Sequence, residues 1–484
     1  MSNRMLAEDQ HTREGFPMSR QTQNAYDVGT MPLVTGTLTP VTIRAGRPQD
    51  ADQISDLYRQ AYSASNSDDA QEHYPFPQFL DPRRLRQLAN GETMDWVVAE
   101  AEKKIVGTIG AIRNIGRADD GVAEYFGLVV NETWRGKGIA GSLFGAVYEK
   151  LTDKARFMIA ETRTADAGGW RTAKKYGFVP LGFEPFAHNT PAGSETMLLL
   201  GSVPKQARHQ RDVGGHSSVA VRTLARTVLQ TLHLEPLPAV ERSTYPITPQ
   251  PCHELLSKLT PAHPRLKVSG LGLGKADDVF HVLDDKMVAI QLQQEWRSFS
   301  PHLSGVVGLS RLEGEDPTGD RYTKKCFVGY IGKCPVSCAR IVWDHRDHRA
   351  RILYLQTRFH GLQGLMVAEI LRFLETQSRY TPVSVVIDVR ADYPSLHATL
   401  EELGFFPTVY YPCLVAGEKG RLDAVQYTRL YSRPFQESLK FVRALGWFEA
   451  NTVVKTVMSI EKEVTHRSIE RRDGLVATMR CSHS

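Results

Sequence analysis

Residues 135–141 read Arg-Gly-Lys-Gly-Ile-Ala-Gly, a combination that suits the binding of a phosphate group. The three glycines carry no Cβ atom, so the main chain can bend tightly and turn several N–H groups toward one point. Arg135 and Lys137 add the positive charge that neutral amides lack. The residue types in this turn therefore predict a site for a pyrophosphate.

The turn lies between a predicted strand and a predicted helix. Residues 124–130 form the strand, and residues 143–151 carry apolar side chains at helical spacing. A strand, a glycine turn and a helix N-terminus together bind anions, although a glycine turn alone could be no more than a tight connection. A Walker-type loop is excluded because GxxxxGK[ST] is absent. A Rossmann site is excluded because the acidic residue that should end a second strand is missing.

This region resembles the GNAT superfamily of acyltransferases. The pyrophosphate loop of that family reads Gln or Arg, two residues, Gly, one residue, then Gly or Ala, and Arg135, Gly138 and Ala140 fit the pattern. Residues 128–130 resemble the family's strand that splays from its neighbour and pairs through backbone groups with the pantetheine arm. The resemblance extends over residues 40–201.

The resemblance implies the fold, the co-substrate and the residues that hold it. We expect an α/β fold, α+β by some schemes, with two GNAT-like domains. Each would be a central mixed, mostly antiparallel sheet flanked by helices. Acetyl-CoA or another acyl-CoA would be the co-substrate, and no metal is expected. The expected cofactor-binding residues are Leu128, Val130, Arg135, Gly136, Lys137, Gly138, Ala140 and Gly141.

Glu124 is the candidate general base for transfer to an amine. It lies six residues before Val130 on the same predicted strand, and a two-residue period gives it a face shared with Phe126, Leu128 and Val130. A carboxylate among apolar neighbours should have a raised pKa, which suits a base that works near neutrality. Some family members have a catalytic glutamate at this position. The alternative is a strand-end glutamate in water.

Tyr176 is the candidate general acid, and here the sequence departs from the family pattern. Many relatives have a tyrosine four residues before a Gly-Phe pair, which is Gly177-Phe178 in this chain, and that position is Ala173. Tyr176 could instead be a packing residue of the core. Water, Tyr125 or Tyr74 would then have to protonate the leaving thiolate.

The second half of the chain repeats the order of elements, which indicates a tandem duplication. The turn at 358–364 keeps the arginine and the first glycine of the loop pattern, but Gln363 takes the Gly/Ala position. Counting six residues back from Leu355 gives Arg349 rather than a carboxylate. We therefore expect a scaffold that has lost catalysis, with a second active site as the alternative.

Two further segments have alternative interpretations. Residues 73–77 carry aromatic and proline side chains where family members build the acceptor pocket, and ordinary loop packing is the alternative. A run of acidic and histidine residues could bind a metal, although such a run is more often a solvated turn. Its members are Asp344, His345, Asp347 and His348.

These patterns divide the chain into five expected parts. They are a flexible tail at 1–39, the acyltransferase domain at 40–201, a solvated linker at 202–225, the degenerate second domain at 226–433 and a helical extension with a tail at 434–484.

Composition limits the partners. With 41% hydrophobic and 23% charged residues the chain should be globular, and a net charge of +5 gives no overall field for nucleic acid. No segment has the apolar length of a membrane span, and the six cysteines form no zinc pattern, so we expect a cytoplasmic protein. The expected partner is a small-molecule amine, and a homodimer stays open. The rival functions are an aminoacyl-tRNA- or carrier-protein-dependent transferase and a non-catalytic acyl-CoA sensor.

Overall fold

The computed structural model describes two long stretches of chain and several shorter ones. It covers residues 29–33, 40–62, 77–89, 94–164, 167–190, 193–247, 280–284, 305–309, 321–331, 334–357, 361–376, 382–431, 435–439 and 446–481. The predicted strand at 288–292, Arg358, Tyr74 and most of the 73–77 segment lie outside these ranges.

Within these ranges fifteen strands form one sheet. They are β1 (Gly29–Leu33), β2 (Val41–Ala45), β3 (Met94–Ala101), β4 (Lys104–Arg113), β5 (Val122–Val130), β6 (Phe157–Arg163), β7 (Val179–Thr190), β8 (Gly193–Ser202), β9 (Phe280–Asp284), β10 (Tyr322–Ile331), β11 (Cys334–Asp344), β12 (Arg349–Thr357), β13 (Ser384–Arg390), β14 (Phe406–Ala416) and β15 (Arg421–Leu430).

Helices pack on both faces of this sheet. They are α1 (Ala51–Tyr62), α2 (Pro82–Ala89), α3 (Ile139–Thr152), α4 (Ala167–Lys175), α5 (Lys205–His209), α6 (Val219–Gln230), α7 (Leu362–Thr376), α8 (Pro394–Glu402) and α9 (Phe448–Cys481). In the described part of the chain, none of the helices combines the length and the apolar character needed to cross a membrane.

The strand order repeats about the centre of the sheet. It runs β1-β2-β3-β4-β5-β6-β8-β7 and continues β14-β15-β13-β12-β11-β10-β9. Read inward from either end, β2 to β7 and β9 to β14 follow the same order. Each half also has one parallel pair, β5 with β6 and β12 with β13, among antiparallel neighbours. The expected mixed, mostly antiparallel sheet is confirmed.

The two halves correspond residue by residue at an offset of 227 positions. Val122 pairs with Phe157 in the first half, and Arg349 pairs with Ser384 in the second, so both members of the pair differ by 227. Helices α4 and α8 also begin and end 227 positions apart. Residues of the paired strands and of α4 and α8 can therefore be compared at this offset, whereas α3 and α7 begin 223 positions apart.

The halves join where β7 pairs with β14. Gly182 lies opposite Val409, and a Cβ on Gly182 would lie 2.0 Å from the carbonyl oxygen of Thr408. Only glycine permits such a close approach of two backbones. Helices α6 and α9 pack against β7 and β14 and close the junction on one face.

The two faces of the first half have separate cores. On one face α1 and α2 cover β3 to β5, and Phe79 stacks on Phe126 with ring centroids 4.8 Å apart. On the other face α3 and α4 pack on the sheet, and Phe144 stacks on Tyr125 at 4.7 Å. A side chain on β5 therefore faces either α1 or α3.

Two parts of the expected domain plan need correction. The tail at 1–39 includes an edge strand, because β1 pairs with β2. The linker at 202–225 is not solvated: it contains α5 and the first part of α6, which buries Val221 and Leu224. The Arg211 side chain is only 2% exposed, because it pairs with Asp423 of β15.

The sequence pattern also missed strands. It indicated one final strand near residues 196–200, whereas the first half ends with two, β7 and β8. Nine of the twelve residues of β7 are buried in an unbroken run, so β7 has no polar and apolar alternation to reveal it. The second half likewise contains β11 and β15, which the pattern did not indicate.

Candidate active site

Strands β5 and β6 form a fork. Residues 122–125 pair in parallel with residues 157–160, after which β6 follows β8 to Arg163 and β5 follows β4 to Val130. In the ranges that the structure describes, no strand is assigned to the side of β6 that faces β5 beyond residue 160. The two strands therefore separate beyond Tyr125 and Ala160 without a third described strand between them.

A β-bulge interrupts β5 inside the fork. The pairing with β4 shifts between Thr108 and Gly110, which leaves one extra residue on β5. Gly127 there has a φ of 63°, a conformation that glycine adopts without strain. Its carbonyl accepts a hydrogen bond from the Tyr58 hydroxyl at 3.0 Å, so the bulge is tied to α1.

The bulge reverses the alternation of side chains along the rest of β5. Val129 joins Phe126 on the face that α1 covers, whereas Leu128 and Val130 pack toward α3. The prediction that Glu124 shares one face with Phe126, Leu128 and Val130 is therefore wrong for the last two residues. The backbone of Leu128 and Val130 nevertheless remains part of β5, beyond its pairing with β6.

The turn after β5 presents main-chain amides to the outside. Gly136 and Gly138 have φ values of 77° and 81°. A Cβ on either of them, or on Gly141, would meet no atom of the described residues within 4 Å. Past Arg135, the first N–H that donates to a main-chain carbonyl within the described chain is that of Ser142. The amides between these two residues are thus available to an anion at the positive end of α3.

Both predicted cations flank these amides. The Nε of Arg135 donates to the carbonyl of Val130 at 3.2 Å, which holds the guanidinium at the end of β5. The Lys137 ammonium lies 4.4 Å from the centre of the Trp134 ring. Ala140 follows in the first turn of α3. The turn therefore combines open amides with two nearby positive charges.

Glu124 lies in the paired base of the fork. It is opposite Ile112 on β4 and beside Ile159 on β6, and it is 4% exposed. The alternative of a solvated strand-end carboxylate therefore does not hold. The fold thus places a buried carboxyl group among apolar strand neighbours, where the two arms of the fork begin to separate.

Tyr176 lies on the opposite face of the sheet from Glu124. Its hydroxyl donates to the carbonyl of Gly141 at 2.7 Å, and its ring stacks on Phe144 with centroids 5.3 Å apart. A Cβ on Gly145 would lie 2.5 Å from the hydroxyl, and burial raises the pKa of Tyr176. These contacts agree with the packing alternative, and the structure does not bring Tyr176 and Glu124 together.

Two other tyrosines differ in their relation to the fork. Tyr125 is buried beside α3, with its hydroxyl 3.6 Å from the sulfur of Met158, and burial raises its pKa. Tyr58, which the sequence analysis did not single out as functional, bonds to the bulge. Its only signal in the sequence was its place on the apolar face of α1, the same signal that any core residue gives.

In the second half the corresponding fork is filled by protein. Strands β12 and β13 pair only as far as Ile352 with Ile387. Beyond that point residues 305–309 lie along β13: the Val307 N–H donates to the carbonyl of Asp388 at 2.8 Å, and the Arg390 N–H donates to the carbonyl of Gly305 at 2.7 Å. The chain itself thus takes the place that stays open between β5 and β6.

The turn before α7 is covered as well. A Cβ on Gly364, the residue that corresponds to Gly141 at the start of the helix, would lie 2.7 Å from the carbonyl oxygen of Pro246 and 3.0 Å from Tyr245. The buried Gln363 side chain accepts the Gly361 N–H at 2.8 Å. Tyr245, Pro246 and the Gln363 side chain therefore occupy the position at which the first turn is open.

Arg351, not Arg349, is the counterpart of Glu124. The count from the sequence took Leu355 as the counterpart of Val130, whereas the strand register makes Thr357 that counterpart. Arg351 is buried in an ion-pair cluster, with its guanidinium 2.9 Å from Glu184 of β7 and 3.1 Å from Asp388 of β13. A cation fixed between carboxylates cannot act as the base that Glu124 could be.

The segment with Asp344, His345, Asp347 and His348 is not a solvated turn. Asp347 is 5% exposed, and Arg321 pairs with it at 2.9 Å and with Asp344 at 2.8 Å. Burial alone would raise the pKa of Asp347, but neighbouring His188 and Arg321 lower it to about 2. Among the described residues, no group of three or more His, Cys, Asp or Glu side chains is placed to hold a metal ion.

A family model matches the region that holds the fork and the turn. The model described as acetyltransferase (GNAT) family matches residues 51–178. No curated protein resembles the chain closely enough in sequence to count as a match. The assignment of the domain therefore rests on the family model.

Solved structures similar to the chain cover about a third of it. An acetyltransferase of the GNAT family from Streptococcus pneumoniae has 17% identity over 34% of this chain and 99% of its own, with a TM-score of 0.28. The ribosomal-protein-S5-alanine acetyltransferase from Vibrio fischeri has 17% identity over 36% and 97%, with a TM-score of 0.28. A GNAT superfamily phosphinothricin acetyltransferase from Sinorhizobium meliloti, in complex with AcCoA, has 18% identity over 34% and 88%, with a TM-score of 0.28.

Proposed function

Because residues 51–178 are a GNAT acetyltransferase domain, we propose that the first half transfers an acetyl or other short acyl group from acyl-CoA to the amine of a small molecule. The second half is, on this proposal, a tandem copy of the fold that has lost its cofactor site. The observation that carries the proposal is the glycine turn of the first half, whose amides between Arg135 and Ser142 make no main-chain hydrogen bond within the described residues, against the covered turn and filled fork of the second half.

The first turn suits the pyrophosphate of coenzyme A. The open amides between Arg135 and Ser142 offer donors without an internal partner to displace, and the α3 N-terminus and two cations favour negative charge. We assign contact with the pantetheine arm to the backbone of β5 at Leu128 and Val130, beyond the pairing of β5 with β6. The co-substrate supplies an acyl group already activated as a thioester.

Glu124 is the residue that we assign to proton transfer. An amine attacks a thioester only after it loses its ammonium proton, and a buried carboxylate within reach, directly or through water, can accept that proton. We assign Tyr176 to packing, because donation of its proton to a thiolate would require breaking the bond to Gly141. Solvent then supplies the proton of the leaving thiol.

Thiol release from acetyl-CoA tests this function. The chain would be assayed with ethanolamine, lysine, 1,4-diaminobutane, glucosamine and alanine amide, and we expect release that depends on one of these amines. Glu124→Gln should lower kcat about a hundredfold, the scale of general base catalysis, and leave the calorimetric Kd for coenzyme A unchanged. Arg135→Glu should weaken that binding instead.

The rival functions give different results in the same assays. An aminoacyl-tRNA-dependent transferase has no need of an intact pyrophosphate loop, so the absence of saturable coenzyme A binding would favour it. Tight binding of acetyl-CoA without thiol release in the presence of any of the five amines would favour a non-catalytic sensor. Full activity of Glu124→Gln would remove this residue from the mechanism.

A further inference from the structure

The second half of the chain contacts the first half just before β5, the strand that carries Glu124. Asp120 ends the short helical turn ahead of β5 and is 2% exposed. Its Oδ1 accepts the Ala416 N–H at 2.8 Å, and its carbonyl oxygen accepts a hydrogen bond from the Arg421 guanidinium at 2.6 Å. We call these contacts of Asp120 with Ala416 and Arg421 the corner clamp.

The guanidinium of the clamp is committed to main-chain carbonyls. Arg421 is 5% exposed, and besides Asp120 it donates to the carbonyls of Cys413 at 2.7 Å and Leu414 at 2.8 Å. Burial lowers the pKa of Arg421. Burying a cation costs free energy that only well-directed hydrogen bonds offset. The clamp is therefore a directional link between β14, β15 and the corner before β5.

The arginine contact of the clamp is not reproduced in the other half. The counterpart of Asp120 is Asp347, whose Oδ1 also accepts a main-chain N–H, that of Asn189, at 2.8 Å. The residue that corresponds to Arg421 is Ser194, and its hydroxyl donates to the Asn189 side chain at 2.6 Å. The arginine is therefore an addition at the corner that leads to Glu124.

The corner sets the base of the fork. The carbonyl of Gly121, which follows Asp120, accepts the Arg156 N–H at 2.7 Å and so starts the parallel pairing of β5 with β6. Only residues 122–125 of β5 make this pairing before the arms separate. A shift of the corner would move Glu124 relative to both arms.

We propose that Arg421 and Asp120 are positioning residues for acyl transfer in the first half, and that the second half raises the rate of turnover because it supplies Arg421. The inference rests on the proposed role of Glu124. It assigns the second half a task that an independent scaffold domain would not have: the arginine holds strand β5 in place across the junction.

Arg421→Met tests the clamp, and Arg349→Met is the matched control. Arg349 is a partly buried cation that also joins the halves, through Glu184 and the carbonyl of Ala187, but it lies at the start of β12. In Arg421→Met we expect kcat for thiol release with the fastest of the five amines to fall about tenfold, the scale of a small misplacement, with KM for acetyl-CoA changed less than about twofold. Hydrogen exchange should increase at residues 122–130. Arg349→Met should keep kcat within about twofold and increase exchange at residues 349–357.

The outcomes separate the clamp from simple stability and from the proposed function. Equal loss of kcat in both variants, or unchanged exchange at residues 122–130 in a folded Arg421→Met chain, would overturn the inference. If the methionine variant does not fold, Arg421→Lys, which keeps the charge but makes fewer directed bonds, should lower kcat by a smaller factor, and unchanged kcat would count against the clamp. A wild-type chain that releases no thiol refutes the proposed function, while the exchange measurement still tests the clamp.

Discussion

The two forks of the sheet are built by the same strand pairing and differ in what lies between their arms. In the first half no described strand lies between β5 and β6 beyond Ala160, and the amides of the neighbouring turn make no main-chain hydrogen bond within the described residues. In the second half residues 305–309 bond to β13, and Pro246 covers the turn. The difference teaches that a fold which separates two parallel strands must satisfy their free backbone groups, either with a ligand or with its own chain.

The largest expected effect tests whether only the first turn binds coenzyme A. Gly138→Ala places a Cβ in the open turn at a φ of 81°, and Gly361→Ala does so at a φ of 100° in the second turn. Both substitutions cost about 1–2 kcal/mol of local strain. We expect calorimetry to show one site per wild-type chain, about hundredfold weaker coenzyme A binding for Gly138→Ala, or about 2.7 kcal/mol, and unchanged binding for Gly361→Ala.

Two sites per chain, or equal weakening by the two alanine substitutions, would show that the second fork opens to the cofactor. The comparison between an open and a filled fork would then be wrong.

A second, smaller effect is expected at the junction of the halves. Gly182→Ala would place a Cβ 2.0 Å from the carbonyl oxygen of Thr408, so β7 and β14 must move apart. We expect a loss of about 2 kcal/mol in the free energy of unfolding, measured with urea. Gly177→Ala is the control, because its φ is 77° but no described atom lies within 4 Å of the added Cβ. A loss no greater than that of the control would mean that the halves are held together elsewhere.

The smallest effect concerns pH and should be confined to the second half. His397 is fully buried, its Nε2 lies 2.8 Å from the carbonyl of Arg390, and burial lowers its pKa to about 4. Its counterpart in the first half is Trp170, which does not titrate. Because the folded pKa is below the ordinary value, stability is complete above about pH 6.5 and falls as the pH drops toward 4.

At pH 5.5 the buried, uncharged His397 should lower the free energy of unfolding by about 1 kcal/mol relative to pH 7.5. Hydrogen exchange at residues 384–402 should rise with that drop in pH, while the exchange at residues 157–175 changes less. His397→Gln should remove the extra rise in exchange at residues 384–402. An unchanged pH dependence in that variant would assign the effect to another group.

The sequence was sufficient to predict the parts of the fold that local patterns encode. The strand, turn and helix at residues 124–151 gave a strong local signal, because glycines that need positive φ stand next to residues with helical spacing. The buried strand β7 and the bulge at Gly127 gave no such signal. Both depend on contacts with other strands and with Tyr58, which lie far away in the sequence.

The residues of the candidate site could be identified from the sequence, but the contacts around them could not. The turn residues and Glu124 were identified from type and spacing, and their roles remain proposals. The packing of Tyr176 on α3, the ion-pair cluster around Arg351 and the filling of the second fork by residues 305–309 all arise from tertiary contacts. Periodicity within one strand or helix carries no information about contacts between distant elements.

The filled fork has a thermodynamic consequence. A domain that binds a ligand only when folded gains stability as the free ligand concentration rises. On the proposed function, the first half would follow this rule with coenzyme A, and its melting temperature would depend on the supply of that compound. Residues 305–309 are tethered to β13 by the chain itself, so their effective concentration is constant. A fall in the coenzyme A concentration would then lower the stability of the first half and leave that of the second half unchanged.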